Sequence, residues 1–269
     1  MTYPFQLFLC STDTPLIAAA VTAGVDGVIV EWEDIEADSN QGQPETSPAK
    51  RPTPKMVNQL SQVRNATDTW VICRLNPYSG QTQAEIETAV KLGADEIWLP
   101  KVAALSEVEA VLAQVNYRCK VGIVVETLAA LEILPLLSPL PITRIHVGIN
   151  DLAEALGNPH SFCAIADGTV ERIFQQISPS MPHGCMGLTL PDKGDPIPSR
   201  LIMGELVRLG CTFSLLRRSF LADVQGQDLS QALSNIRTGL AQMTSRPPSV
   251  IDSDRQALNQ RIEKILAAL

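Results

Sequence analysis

The feature that most constrains this chain is a repeated unit: a short β-rich run, a polar break, then a stretch with helical periodicity. The β-rich runs fall at residues 5–9, 27–32, 70–75, 96–99, 120–125, 144–147, 184–188 and 211–215. Between them, residues 14–23, 55–64, 82–92, 106–114, 128–137 and 199–209 carry apolar side chains at helical spacing. The phrases Ala23-Gly24-Val25-Asp26, Leu92-Gly93-Ala94-Asp95 and Leu209-Gly210-Cys211 each close a helical stretch with glycine before a strand. Glycine there takes the left-handed conformation that ends a helix. Eight such units in 269 residues predict parallel strands closed into a (β/α)8 barrel. The competing arrangement, an open doubly wound sheet, carries a glycine-rich phosphate loop after an early strand. The sequence has no G-x-G-x-x-G and no P-loop.

Two segments depart from the repeat. Residues 36–54 are polar, rich in Pro, Ser, Gln and Asp, and without apolar periodicity. Following the second strand, they belong on the C-terminal face of a barrel, as a functional lid or as a disordered loop. Residues 245–269 read as a linker containing Pro247-Pro248, then a helix capped by Ser253 or Asp254 with an apolar stripe of Leu258, Ile262, Ile265 and Leu269. The expected division is a catalytic barrel over residues 1–244 and a linker with an amphipathic C-terminal helix over 245–269. That helix packs on its own barrel or on a neighbouring subunit.

Charge and cysteine usage narrow the function classes. A net charge of −8 argues against a nucleic-acid partner, which needs a basic footprint. None of the six cysteines forms a C-x-x-C pair or a zinc-like spacing, and they read as small buried thiols of a reducing cytosol. No apolar stretch is long enough to span a bilayer, and residues 1–10 lack a basic leader region. The expectation is a cytoplasmic protein with no membrane partner.

In a barrel, side chains just past the C-terminal strand ends converge on one site. Here those ends read Glu31-Trp32-Glu33-Asp34, Arg74-Leu75-Asn76-Pro77, Val125-Glu126-Thr127 and Gly148-Ile149-Asn150-Asp151. Glu126 and Asp151 close adjacent strands, and two carboxylates suit Mg²⁺, which keeps positions open for water and a chelating 2-oxo acid. Gly148 lets the backbone approach a bound anion, and Asn150 joins it on the substrate side. Arg74 is a permanent cation able to hold a carboxylate or stabilise a developing oxyanion. Glu33 and Asp34 can hold metal-bound waters or orient Arg74. Each of these has a structural alternative. Asp151 with Glu154 makes a helix capping box, Glu126 complements a helix dipole, and Glu33 and Asp34 form a solvated strand end. His146, His160 and His183 fit no nucleophile or metal spacing and read as structural. Arg217 and Arg218 follow the last strand, where an anionic substrate tail could bind.

These strand ends also carry a resemblance. The run Gly24-Val25-Asp26-Gly27-Val28-Ile29-Val30-Glu31-Trp32-Glu33-Asp34 resembles the G-x-D-x-hydrophobic-x-D-L-E-D segment of citrate lyase β-subunit-like proteins. Arg74-Leu75-Asn76 resembles their R-x-N, and Gly93-Ala94-Asp95-Glu96-Ile97-Trp98-Leu99-Pro100-Lys101-Val102 their G-A-D-G-I-x-L-P-K-V. Val125-Glu126-Thr127 is similar to I-E-T, and Val147-Gly148-Ile149-Asn150-Asp151-Leu152 to the I-G-x-x-D-L of the HpcH/HpaI aldolases. In order from the second strand to just past the sixth, the chain resembles the HpcH/HpaI aldolase and citrate lyase superfamily. The resemblance implies an Mg²⁺- or Mn²⁺-dependent, homo-oligomeric barrel that breaks or forms carbon–carbon bonds beside a 2-oxo acid or an acyl-CoA. It implies Glu126 and Asp151 as metal ligands and Arg74 as the residue that binds substrate and stabilises the enolate.

Asp34 stands where the pyruvate aldolases of this group carry a histidine base, Val124 where they carry a glutamine, and Val30-Glu31-Trp32 for Leu-Asp-Leu. The base is therefore open between Asp34 and a metal-bound water. Two other functions fit the same residues. One is a non-catalytic relative that binds an organic acid, an acyl-CoA or a protein. The other is a phosphoenolpyruvate-type barrel that performs isomerisation.

Overall fold

The computed structural model describes residues 5–32 and 53–269. Its strands are β1 (Gln6–Cys10), β2 (Gly27–Glu31), β3 (Trp70–Arg74), β4 (Glu96–Leu99), β5 (Lys120–Val125), β6 (Arg144–Val147), β7 (His183–Cys185), β8 (Gly187–Leu188) and β9 (Phe213–Leu216). They form one sheet in the order β7-β6-β5-β4-β3-β2-β1-β9-β8, every pairing parallel. The two ends of this order are consecutive in the chain: only Met186, at φ +56°, separates β7 from β8. The sequence reading of one strand over 184–188 is thus corrected to two short ones, broken where Met186 turns left-handed. The Thr212 amide donates to the His183 carbonyl at 2.9 Å, which joins the β7 side to the chain entering β9. The result is a (β/α)8-type barrel of eight staves.

The helices are α1 (Thr14–Thr22), α2 (Pro54–Ala66), α3 (Thr82–Lys91), α4 (Leu105–Val115), α5 (Leu128–Leu137), α6 (Ile149–Ala155), α7 (Cys163–Ala166), α8 (Thr169–Gln175), α9 (Ser199–Arg208), α10 (Phe220–Asp223), α11 (Leu229–Thr244) and α12 (Pro248–Leu266). Their starts follow from local chemistry. Asp13, Thr53, Thr127 and Asp228 each accept a backbone N–H of the first turn with a side-chain oxygen. α11 fills the last outer position of the ring and was not among the helical stretches read from sequence. α12 begins at Pro248, five or six residues before the cap expected at Ser253 or Asp254. Proline at the first helical position has its φ preset and no N–H to satisfy, so Pro248 starts the helix by itself. Asp254 instead accepts from Arg246 at 2.6 Å and Arg200 at 3.1 Å. Leu258 and Ile262 are buried and α12 lies against α9 and α7, while Leu269 is exposed beyond the helix and not part of its stripe. No helix among the described residues is long and apolar enough to cross a membrane.

Alternation along the strands makes two cores. Residues such as Leu7, Val28, Val71, Ile97, Ile123 and Ile145 face the helices. Phe8, Ile29, Ile72, Trp98, Val124 and Phe213 fill the barrel interior. One step toward the N-terminal end of the interior lie Gly122 and the side chains of Gln6, Trp70, Glu96 and Arg144, which close the barrel floor by hydrogen bonding. Arg144 donates to Glu96 and Gln6 at 3.0 Å each, and the Trp98 and Trp70 indoles donate to Glu96 at 3.0 and 2.9 Å. The Arg144 guanidinium also lies 4.9 Å from the Phe8 ring centroid and 5.3 Å from that of Phe213. Gly122 makes room for this packing, since a Cβ there would lie 2.6 Å from the Trp98 ring.

His146 stacks on Trp98 at 5.4 Å in the same interior. Burial, and secondarily the Arg74 charge, hold its pKa down at about 3, against an ordinary 6.5. Between these values the unfolded chain binds a proton that the folded chain refuses. His146 therefore lowers stability as pH falls through that window, by up to about 1.4 kcal/mol per pH unit. We expect His146→Phe to flatten the acid limb of a urea-denaturation series between pH 6 and pH 4. An unchanged slope would place the cost elsewhere.

Candidate active site

Carried one step toward the C-terminal end, the same alternation delivers Cys10, Glu31, Arg74, Pro100, Glu126 and Gly148 to the barrel mouth. Glu126 follows β5 directly and is 1% exposed. It accepts from Arg74 Nη2 at 3.1 and 3.2 Å and from the Lys101 backbone amide at 2.9 Å. On its other side is Gly148, where a Cβ would lie 2.3 Å from Glu126 Oε2. Gly148 was read as the residue that lets backbone approach a bound anion. What it approaches here is the Glu126 carboxylate. Any side chain at 148 would push that carboxylate out of place.

Asp151 sits in the first turn of α6 with its side chain 38% exposed. It does not cap that helix; Gly148 holds the cap position, and no side-chain cap bond forms there. Likewise α5 is capped by Thr127, whose Oγ1 accepts from the Ala130 amide at 3.0 Å, so Glu126 is not needed for that helix end. Asn150 is exposed on α6. Asn76 of the R-x-N run is structural: its amide and side chain donate to Glu85 at 3.2 and 2.7 Å, tying the end of β3 to α3.

Two residues not selected from sequence complete the site. Glu31 pairs with Arg74 across β2 and β3, its Oε1 lying 3.6 Å from Arg74 Nη1. The role of holding Arg74 had been read onto Glu33 and Asp34, which lie outside the described residues. Lys101, at φ +48°, places its amide on Glu126 and its Nζ 3.7 Å from Asp151 Oδ1, so one residue touches both carboxylates. Such left-handed backbone in a non-glycine residue is uncommon and collects at functional sites. The six cysteines are all free; Cys73, Cys185 and Cys211 are buried, but Cys10 is exposed, against the expectation of uniformly buried thiols. Desolvation by its neighbours, then the Glu31 charge and hydrogen bond, push the Cys10 thiol above its ordinary value, with Arg74 and Arg218 opposing.

No group of three or more His, Cys, Asp or Glu side chains able to hold a metal occurs among the described residues. A Mg²⁺-type site does not need one, because one or two carboxylates suffice when water and substrate supply the rest. Glu126 and Asp151 give that all-oxygen pair, and the cradle at Gly148 fixes one of them.

The family model for HpcH/HpaI aldolase/citrate lyase matches residues 5–161. The chain belongs to this family. It is a family of aldolase- and citrate-lyase-type enzymes, and the match contains Glu31, Arg74, Lys101, Glu126, Gly148 and Asp151. No curated protein matches the sequence. Among solved structures, the HpcH/HpaI aldolase from Desulfitobacterium hafniense DCB-2 is similar at a TM-score of 0.58 and 15% identity, over 91% of this chain and 94% of that one. RipC from Yersinia pestis is similar at 0.58 and 12%, over 93% and 100%. Citrate synthase SbnG is similar at 0.58 and 14%, over 90% and 93%. At these identities the HpcH/HpaI fold is shared, and the chemistry must be argued from the site.

Proposed function

We propose that this HpcH/HpaI family chain is a divalent-metal-dependent carbon–carbon lyase acting on a 2-oxo acid or an acyl-CoA through an enolate. The observation that carries this reading is the arrangement of Glu126 and Asp151 at neighbouring strand ends, both touched by Lys101, with Arg74 on Glu126. Mg²⁺ or Mn²⁺ held by Glu126 and Asp151 would supply Lewis acidity to the carboxylate and carbonyl oxygens of the substrate. Glu126, buried and fixed on one side by Gly148, sets the position of that end of the substrate. Lys101 bridges the two carboxylates, through its amide to Glu126 and its Nζ to Asp151, and Arg74 holds Glu126 from the other side. Arg74, paired with Glu31 across β2 and β3, presents a guanidinium that stays protonated throughout and can donate to the enolate oxygen as charge develops. In retro-aldol cleavage the bond between the α- and β-carbons of the carbonyl breaks. The β-hydroxyl loses its proton to a base and becomes an aldehyde or ketone, and the electron pair stays on the enolate. We assign that proton to Asp34 or to water.

The experiment is calorimetric titration of the protein with Mg²⁺ and with Mn²⁺, each with and without pyruvate or oxaloacetate. Metal binding that tightens in the presence of the oxo acid supports the reading. Absence of metal binding under both conditions would replace it with a non-catalytic relative.

A further inference from the structure

We infer that the Lys101 ammonium competes with a divalent cation for Asp151, and that this competition couples metal binding to binding of the anionic substrate; the inference deepens the lyase reading and rests on it.

The turn that carries Lys101 is pinned on both sides. Trp98 is interior and Leu99 faces the helices, so Pro100 leaves β4 on the mouth side. Lys101 then turns left-handed at φ +48°, which aims its amide at Glu126 Oε1, 2.9 Å away. Behind it Val102 is buried, and its carbonyl accepts from Thr127 Oγ1 at the end of β5. The Ala103 and Ala104 amides donate to Glu107 at 2.8 and 3.4 Å, which fastens the chain to the first turn of α4. The backbone of Lys101 is therefore held from β5 and from α4, and the freedom left to it lies in the side chain.

That side chain crosses the end of β5. Lys101 follows β4, Glu126 follows β5 and Asp151 follows β6, three adjacent staves. Nζ lies 3.7 Å from Asp151 Oδ1, with the two side chains 29% and 38% exposed. At that distance the contact is an ion pair and not a hydrogen bond. A hydrated ammonium on a flexible stem gives way readily to another cation. Arg74 differs, because it is 17% exposed and donates to both oxygens of Glu126, at 3.1 and 3.2 Å. Of the two cations on the carboxylate pair, Lys101 is the one that can yield.

A divalent cation on Asp151 has the ammonium tethered near it by the pinned turn, and the two repel. An anionic acid binding at the mouth relieves that repulsion. Lys101 thus opposes metal alone and favours metal together with a carboxylate, and by linkage the metal favours the acid to the same degree.

Calorimetry with Mg²⁺ and with Mn²⁺, each with and without pyruvate, tests this on wild type, Lys101→Met, Lys101→Arg and Lys120→Met. Lys101→Met keeps the backbone amide on Glu126 and removes the charge. It is expected to bind metal alone roughly tenfold more tightly than wild type. The factor by which pyruvate tightens metal binding should shrink by a similar amount. Lys101→Arg keeps the charge and should bind metal alone as the wild type does. Lys120→Met removes an exposed charge at the other end of β5 and should change neither quantity. Unchanged or weaker metal binding in Lys101→Met, or a pyruvate factor that survives there intact, would overturn the competition and leave the lyase reading standing. Equal tightening in Lys101→Arg or Lys120→Met would overturn it too, since loss of the Lys101 charge would not then be the cause. Absence of metal binding in both wild type and Lys101→Met, with and without pyruvate, would overturn the lyase reading and this inference with it.

Discussion

Glu126→Gln is expected to lower kcat/KM for any cleaved substrate by about a thousandfold or more, equivalent to about 4 kcal/mol of transition-state stabilisation. The substitution is nearly isosteric. It keeps an oxygen for the Lys101 amide, 2.9 Å away in the wild type, and still fits against Gly148. What it removes is the charge, from a group 1% exposed whose neighbours Arg74 and Lys101 are both cationic. A cation entering there would meet Arg74 and Lys101 with Glu31 and Asp151 as the carboxylates left beside them among the described residues. Metal binding by calorimetry should vanish with activity, while the circular dichroism spectrum stays that of the wild type. Asp151→Asn is expected to do the same to activity, for the same reason. Full activity of either variant with Mg²⁺ would remove these carboxylates from the mechanism.

Much of the barrel was legible because its local signals agree with one another. Gly24, Gly93 and Gly210 stand at φ +102°, +85° and +74°, the left-handed stops read from the repeated glycine phrases. Period-two alternation within apolar runs fixed most strands. It failed at 184–188 because the break lies in the φ of Met186, and methionine carries no signal for a left-handed turn. The helix start at Pro248 was missed for a simpler reason. Two prolines were read as a linker, although the second is preorganised for the first helical position.

For the candidate site, the position of its carboxylates was more legible than what holds them. The placement of Glu126 and Asp151 at the barrel mouth followed from the strand ends, because each lies just past a strand on the C-terminal face. Glu31 was available to the same argument, since it lies two residues beyond the interior Ile29. Treating Glu31 to Asp34 as one polar cluster hid that Glu31 faces the mouth while Trp32 turns toward the helices. Lys101 could not be found this way. Its contact with Glu126 is made by the backbone amide, in a conformation its side chain does not announce. The reason for Gly148 was equally hidden, because it depends on a carboxylate from the neighbouring strand.

Arg144→Ala is expected to be the most destabilising change in the chain outside the mouth. Glu96 and Arg144 are 48 residues apart and sit at the beginnings of strands, where charged residues ordinarily read as solvated. In the fold they meet at 3.0 Å on the barrel floor, with side chains 0% and 7% exposed. Burial raises the Glu96 carboxyl, against the Arg144 charge and the donors from Trp70, Trp98 and Arg144. Arg144→Ala would leave Glu96 buried without its counter-charge and strip the contacts with Phe8 and Phe213. Breaking one side of such a pair costs roughly 3–5 kcal/mol, a fall in Tm on the order of 10 °C. Replacing both residues with apolar ones of similar volume, as in Glu96→Leu with Arg144→Met, should cost clearly less than Arg144→Ala, because no charge is left stranded. Thermal unfolding of wild type, both single variants and the double variant decides the point. Equal losses for Arg144→Ala and the double variant would mean that the floor is held by packing, with the ion pair contributing little.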